Sequence, residues 1–404
     1  MNFKILRKLS GLVFSVFQVM GIILLYFFSG FKSKKKNLWG FGSLAGKEFR
    51  GNSKYLYRYL EKNCKEIEIY WIAKSREENI KLKKQGINSI YAYDFRNFKK
   101  IASTSLFFCT HGFVDIILGL TRKAKIVMLG HMTYTIKNNF RKDIFKKKNI
   151  LNRFIELIKF GYFYIRKIDF GIFSSKFCKE NLITNDKWYP KKKLILGLPK
   201  SDYLLSLKNN NVSNKFLRKM SPDDEKTILF LPTRRNDKNF NIFNFGFSPE
   251  KFQTFSEKNK CNFFISHHPT NANNHISDYN LKKLNMINFD GNLIDDALSE
   301  ADLLITDYSS IFADYLIFNK PIIFAKFDHT KYINEIGLKT DFENLPGPKV
   351  NNWDEILFNV KELLYVNDPF LLKRKEWRNN LYELNDGKNC ERIVNHFKHN
   401  EKYQ

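Results

Sequence analysis

The sequence predicts an α/β protein made of two doubly wound, parallel-sheet domains. Three observations carry that expectation. Short apolar runs alternate with stretches of helical spacing, as they do when strands are buried on both faces between crossover helices. The pattern halts at a polar stretch, Ser206–Lys215, and then restarts, which divides the chain into two halves of similar size. The length of 404 residues suits two domains of roughly 150 residues or more, and three at most.

In the first half, Asn37–Ser43 (NLWGFGS) is an apolar run ending in small residues, which reads as a buried strand and its loop. Gly51–Asn63 then sets Tyr55, Leu56, Tyr59 and Leu60 at helical spacing. Strands are expected at Ile67–Ala73, Ile87–Tyr93, Ser105–His111, Ala124–His131, Asp169–Ser175 and Lys193–Pro199. In the second half they are expected at Lys226–Thr233, Cys261–Pro269, Asn285–Asp290 and Lys320–Asp328, with Ala301–Ser310 a strand running into a helix. The C-terminal tail is polar and reads as helical. The implied boundaries are 1–36 for a membrane-associating segment, 37–205 for an N-terminal Rossmann-like domain and 206–404 for a C-terminal one with its tail. Two such halves are expected to face each other across a cleft, with ligands beyond the carboxyl ends of the strands.

The N-terminus has a separate character. No charged residue occurs from Leu9 to Phe31, while Lys4, Arg7 and Lys8 precede the stretch and Lys32, Lys34, Lys35 and Lys36 follow it. Its length approaches the roughly 20 residues that cross a bilayer core. No small-x-small site ends it, which argues against a cleaved signal peptide. A spanning helix, a helix lying in the interface and a buried helix of the main fold all fit. The basic cluster favours a body on the cytoplasmic side and attracts anionic headgroups, so attachment to the cytoplasmic face of a membrane is expected.

Lys and Arg number 68 against 41 Asp and Glu, a difference of 68 − 41 = +27. Such an excess suits an anionic partner: nucleic acid, anionic lipid or a phosphorylated substrate. Compositional bias toward Lys, Asn and Phe gives the same excess. The basic residues are dispersed and no recognition motif stands out, which disfavours nucleic acid. A hydrophobic share of 43% excludes wholesale disorder. Five scattered Cys without a C-x-x-C pair exclude a disulfide scaffold and disfavour a zinc ribbon. There is no G-x-x-x-x-G-K-[ST] loop, no G-x-S-x-G elbow, no H-E-x-x-H and no D-x-D pair, and Gly40-x-Gly42 is too short for a dinucleotide fingerprint. No metal site is therefore assigned and no cofactor is certain, although phosphate chemistry leaves room for Mg²⁺.

Four places carry residues suited to chemistry. In LLITDYSSIFADYLIF the strand ends at Thr306, Asp307 to Ser310 form a turn, and a helix begins with Ser309 or Ser310 as its cap. Such a start either binds a phosphate or merely caps; Asp314, inside that helix, either contacts a ligand or is solvated. His267-His268-Pro269 follows an apolar strand and offers an imidazole for proton transfer or charge stabilisation, or else forms a surface turn. Gly130-His131, followed by Lys137, ends a strand of the first half, and His111-Gly112 ends the one before it as a rival base. In Leu231–Arg235, Arg234 or Arg235 suits a bidentate phosphate clamp or a surface ion pair.

Together these motifs resemble the CDP-glycerol glycerophosphotransferase family, whose members build teichoic acids and related phosphate-containing capsules. The match is strongest in Ile305–Phe324, followed by Phe327-Asp328 and Pro346-Gly347-Pro348. His268-Pro269, Pro232-Thr233-Arg234, Gly197–Asp202 and Asn52–Leu60 fall in the family's order, so the likeness covers residues 37 to 385. In place of the family's Trp-His-Gly-Thr-Pro-Leu-Lys the chain has Gly130-His131-Met132-Thr133-Tyr134-Thr135-Ile136-Lys137. The His and the later Lys survive; the Trp, Gly and Pro do not.

The resemblance implies a GT-B-like architecture with an acceptor-side first domain and a nucleotide-donor second domain. It implies transfer of glycerol phosphate from CDP-glycerol to a lipid-linked or polymeric glycan, with His131 as general base. His268, Arg234, Asp307, Ser309 and Ser310 would hold the donor diphosphate. A CDP-ribitol or other CDP-polyol donor, a GT-B nucleotide-sugar glycosyltransferase, and a membrane-tethered binding protein without catalysis are the rival readings.

Overall fold

In the computed structural model the described residues are 20–131, 133–137, 167–181, 190–222 except 211–215, 224–266 except 234, 236, 238 and 239, 281–287, 289 and 293–399. The chain forms two compact units. One comprises Met1–His131, Phe140–Lys200 and Lys388–Gln404; the other comprises Met132–Asn139 and Ser201–Gly387.

The first unit holds a seven-stranded sheet. Its strands are β1 (Lys35–Gly42), β2 (Glu68–Ala73), β3 (Ser89–Tyr91), β4 (Thr104–Cys109), β5 (Lys125–Met128), β6 (Phe170–Phe173) and β7 (Lys192–Ile195). The spatial order is β3-β2-β1-β4-β5-β6-β7, and every pairing is parallel. Alternate residues serve opposite faces, as the period of two requires. Trp39, Phe41, Trp71, Leu106 and Phe108 share one core with Leu56 and Leu60 of the helix Gly51–Asn63 and with Ile393, Val394 and Phe397 of the helix Asn389–Lys398. Leu38, Tyr70, Ile72 and Phe107 share a second core with Ile101, Ile116 and Ile126. Burial on both faces explains why these strands read as continuous apolar runs.

The second unit holds a six-stranded sheet. Its strands are β8 (Lys226–Leu231), β9 (Cys261–Ser266), β10 (Leu284–Ile287), β11 (Leu303–Thr306), β12 (Ile322–Ala325) and β13 (Lys349–Val350). Their order is β10-β9-β8-β11-β12-β13, again all parallel. Phe230, Phe252, Phe263, Ile323, Val350 and Trp353 belong to one core.

Every strand expected from the sequence is present, most of them shorter at the carboxyl end than the apolar text suggested. The two-residue β13 was not expected. Part of the polar stretch Ser206–Lys215 is the last turns of a helix, Pro199–Asn210. The apolar N-terminal stretch is described only from residue 20, where a helix runs over 20–30; Leu9 to Val19 lies outside the described residues. Among the described residues no helix is long and apolar enough to cross a membrane. The helix 20–30 docks on the first unit: Leu25 packs on its core, and the Ser29 hydroxyl accepts the Arg122 N–H at 3.2 Å.

Candidate functional site

In the first unit the strand order reverses between β1 and β4, and such a switch point opens a crevice beyond the carboxyl ends. Ser43 follows β1, Thr110-His111 follows β4 and Gly130-His131 closely follows β5. The turn Gly112–Asp115 crosses the end of β1. Gly42 permits this approach, because a Cβ there would lie 2.3 Å from the Asp115 carbonyl oxygen.

Asp115 is fully buried, and its carboxylate is the hub of the crossing. It accepts the backbone N–H of Ala45 at 2.8 Å, of Thr110 at 2.8 Å and of His111 at 2.6 Å, and the Thr110 hydroxyl at 3.2 Å. The loop Leu44-Ala45 presents its amides from left-handed backbone, with φ of 46° and 58°. Such φ values are uncommon for non-glycine residues and costly. The Leu44 N–H donates to Nδ1 of His111 at 3.4 Å. Nδ1 is therefore an acceptor, and the neutral His111 ring carries its proton on Nε2. That ring stacks on His131, with centroids 4.4 Å apart and 17° between the planes.

Burial lowers the His111 pKa, Arg50 lowers it further and Asp115 opposes both. The His131 pKa is pushed down to about 4, first by burial and then by the His111 charge. His131 as a residue is nonetheless exposed; the stacked His111 ring covers one face of its imidazole and keeps water from that face. Beside them, burial pushes the Lys74 ammonium down to about 8 against the pull of Asp115, and its Nζ donates to the Val114 carbonyl at 2.6 Å.

Asn52, in the first turn of the helix Gly51–Asn63, fixes the end of β5. Its amide donates to the carbonyls of Leu129 at 3.3 Å and Gly130 at 2.8 Å and accepts the Lys200 N–H at 2.9 Å. Sequence reasoning missed Asn52 and Asp115 as functional residues. The only signal for Asp115 was its place four residues after His111; Asn52 stood merely at the edge of a family-like run.

The second sheet reverses between β8 and β11, so Thr233 and Asp307 stand at its switch point. Asp307 accepts the Thr233 N–H at 2.8 Å and its hydroxyl at 2.6 Å. Arg235 Nη1 lies 2.8 Å from the same carboxylate. The Arg235 fork also donates to Asp328, Nε at 2.7 Å and Nη2 at 2.9 Å. Its guanidinium sits over the rings of Phe240, Tyr332 and Tyr308 at 4.5, 4.7 and 5.2 Å. Burial alone would lower its pKa; the two carboxylates reverse that and hold it above the ordinary arginine value. Arg235 is thus an internal brace of this switch point, with its donors committed to protein. Arg234, the expected phosphate clamp, lies outside the described residues, as do His267 and His268.

The helix Ile311–Tyr315 begins right after this turn. Ser309, rather than Ser310, provides the cap: its hydroxyl accepts the Ile311 N–H at 3.3 Å, while Ser310 makes no side-chain cap bond. Both serines are half-buried. Asp314 is buried rather than solvated and accepts the Thr133 hydroxyl at 3.2 Å. Lys137 belongs to this unit, bridged to Leu338 with the Lys339 N–H donating to Ile136 at 2.8 Å. Burial lowers its pKa first, Asp307 opposes, and Arg235 adds to the fall. The stretch read as one motif, Gly130 to Lys137, is therefore divided, with His131 in the first unit and Lys137 in the second. Of the expected residues, the structure pairs His111 with His131 and gathers Lys137, Asp307, Ser309, Ser310 and Asp314 in the other unit. Among the described residues no group of three or more His, Cys, Asp or Glu is placed to hold a metal ion.

The family model described as CDP-glycerol:poly(glycerophosphate) glycerophosphotransferase matches residues 24–398. A teichoic acid glycerol-phosphate transferase of Staphylococcus aureus (strain NCTC 8325 / PS 47) is 24% identical over 397 residues, covering 90% of this chain and 93% of the relative. A teichoic acid ribitol-phosphate polymerase of the same strain is 30% identical over 179 residues, covering 42% of this chain and 30% of the relative. Among solved structures, the wall teichoic acid polymerase TagF superposes with a TM-score of 0.74 at 18% identity, over 98% of both chains; this likeness shows the shared fold.

Proposed function

The chain belongs to the CDP-glycerol:poly(glycerophosphate) glycerophosphotransferase family, and from that premise we propose that it transfers glycerol phosphate from CDP-glycerol to a hydroxyl of a teichoic acid acceptor. The observation that carries the residue-level reading is the exposed His131, its ring stacked on His111 just beyond the carboxyl end of β5. A general base has to be unprotonated at working pH and open to its substrate, and His131 meets both needs.

In the proposed step the acceptor oxygen attacks the glycerol-bearing phosphorus of CDP-glycerol. A new P–O bond forms, the P–O bond to the CMP phosphate breaks, and the acceptor proton passes to His131. CMP leaves with the bonding electron pair. Such a transfer depends chiefly on positioning and on stabilisation of developing charge. On the donor side we assign Ser309, Ser310 and Lys137 to the diphosphate, with Arg234 and His268 as their expected partners. Asp307 acts through Thr233 and the Arg235 brace, and the GT-B-like pairing of the two units is part of the same proposal. The acceptor is a lipid-linked or polymeric cell-surface glycan, of the teichoic acid or capsule class.

The chain's place at the cytoplasmic face of a membrane is also proposed. The helix 20–30 exposes Met20, Leu24, Phe27 and Phe28, and Phe31 beyond it is 85% exposed. Lys32, Lys34, Lys35 and Lys36 follow directly. An apolar face bordered by lysines suits an anionic bilayer surface.

CDP-ribitol is the second reading, favoured by the 30% identity to a ribitol-phosphate polymerase over part of the chain. The glycerol reading is preferred because its relative matches over 90% of the chain. The deciding experiment measures CMP release by purified protein offered CDP-glycerol or CDP-ribitol with a membrane extract as acceptor source. Release from CDP-glycerol, lost in His131→Ala, is the expected result. Folded protein that releases CMP from neither donor would overturn the reading, and release from CDP-ribitol alone would replace the donor.

A further inference from the structure

We propose that His111 is a positioning residue for the transfer: its ring is a fixed platform that orients the His131 imidazole and keeps it in the neutral form that takes the acceptor proton. The proposal rests on the reading of His131 as the base. It starts from a stack of two titratable rings at a sheet switch point, 4.4 Å apart and nearly parallel.

The platform is held from three directions. The His111 backbone N–H is anchored on Asp115 at 2.6 Å. Its Nδ1 accepts the Leu44 N–H and lies 2.7 Å from the Thr110 hydroxyl oxygen. Asp115 in turn holds Ala45 at 2.8 Å. Left-handed backbone at two successive non-glycine residues persists only where its surroundings over-determine it. Here it delivers one amide to the His111 ring and the next to the carboxylate that fixes the ring's backbone. Much of the local structure therefore serves to keep one imidazole still and in one tautomer.

The consequence for His131 is first desolvation, because the stacked ring covers one face of its imidazole and so disfavours the charged form. A proton on either ring also makes a proton on the other unfavourable at this separation. The other charged groups facing the pair are Asp115, 3.9 Å from His111 Nδ1, Arg50 and, beside Asp115, Lys74. Asp115 favours a cation on His111, but its oxygens are occupied by four donors. Arg50 acts the other way. Protonating His111 at Nδ1 would also break the bond from Leu44.

The test compares full-length parent, His111→Phe and His111→Ala. Two-dimensional NMR of ¹⁵N-histidine protein follows the His131 ring titration, and the pH profile of kcat/KM for CMP release is recorded beside it. Phe keeps a flat ring in the stack; Ala removes it; thermal unfolding checks that each variant is folded. Expected is a His131 titration well below the ordinary histidine value in the parent, and close to the parent's in His111→Phe, whose ring still covers the imidazole. In His111→Ala it rises toward the ordinary value, and the acid limb of kcat/KM rises with it. Each unit of that rise costs about tenfold in activity below the limb.

Equal loss at every pH in His111→Ala, with the His131 titration unmoved, would reduce His111 to a packing residue and overturn the proposal. Inactive His111→Phe with the His131 titration unmoved would make His111 itself the proton acceptor, which also overturns it. A parent that releases no CMP while His131 still responds to His111→Ala would leave the ring coupling standing. It would sink the transfer reading, and the proposed role with it.

Discussion

Arg235 shows how a residue type that suggests anion binding from sequence takes another task in the fold. Its fork joins Asp307, which follows β11, to Asp328, which follows β12, and three aromatic rings close around it. Removing one partner of such a buried network leaves the others charged and unpaired. Arg235→Leu is expected to cost about 3–5 kcal/mol of stability, read from the shift in urea midpoint. Arg235→Lys should recover little of it, because an ammonium cannot donate the planar fork that Asp328 accepts. A midpoint within experimental error of the parent would remove the brace from the account. The general chemistry of the candidates was legible in the sequence, since His131, Asp307 and the Ser309-Ser310 turn stand out by type and by place after apolar runs. Asp115 and Asn52 were not. A buried carboxylate that gathers amides from two loops has no periodic signature, and its role exists only once β1 and β4 lie side by side.

At the scale of elements the sequence was more informative. Parallel strands covered on both faces must be apolar throughout, so β1, β4, β8 and β11 could be found without any alternation. Their ends were harder to read, because apolar text runs past the last ladder bond into the loops that carry function. His111 lies beyond the end of β4, although the strand read from the sequence runs to it. The two-residue β13 was illegible for the opposite reason, being too short to carry a pattern. Strand β1 also yields a prediction that its neighbours do not. Gly42→Ala places a Cβ against the Asp115 carbonyl, so the crossing turn must move. A loss of roughly 1–3 kcal/mol is expected, together with lower CMP release, because His111 moves with the turn. Thermal unfolding and the release assay, run on the same preparation, test both halves; an unchanged melting temperature would show that the turn yields freely.

For the whole molecule, charge and the N-terminal helix belong to one argument. A net charge of +27 draws the protein toward any anionic surface, and the exposed apolar face of the helix 20–30 supplies the part that salt does not screen. Phe27→Glu with Phe31→Glu is expected to weaken sedimentation with vesicles containing anionic lipid. The loss should be at least tenfold, since burying one large apolar side chain contributes about 1.5–3 kcal/mol. Raising the salt should weaken parent binding but not abolish it. Equal sedimentation of parent and variant would leave only the lysines as the attracting element.

The threading of the two units bears on how the protein is made. The helix Asn389–Lys398 supplies Ile393, Val394 and Phe397 to the core of the first sheet, yet the whole of Ser201–Gly387 is translated before it. On the ribosome the first sheet must wait, one face lacking part of its cover, while the second unit is synthesised. Its apolar strands are then open to chaperones, and to wrong partners, for the time needed to add nearly half the chain. Fast translation and an intact last helix therefore matter to the half that is made first.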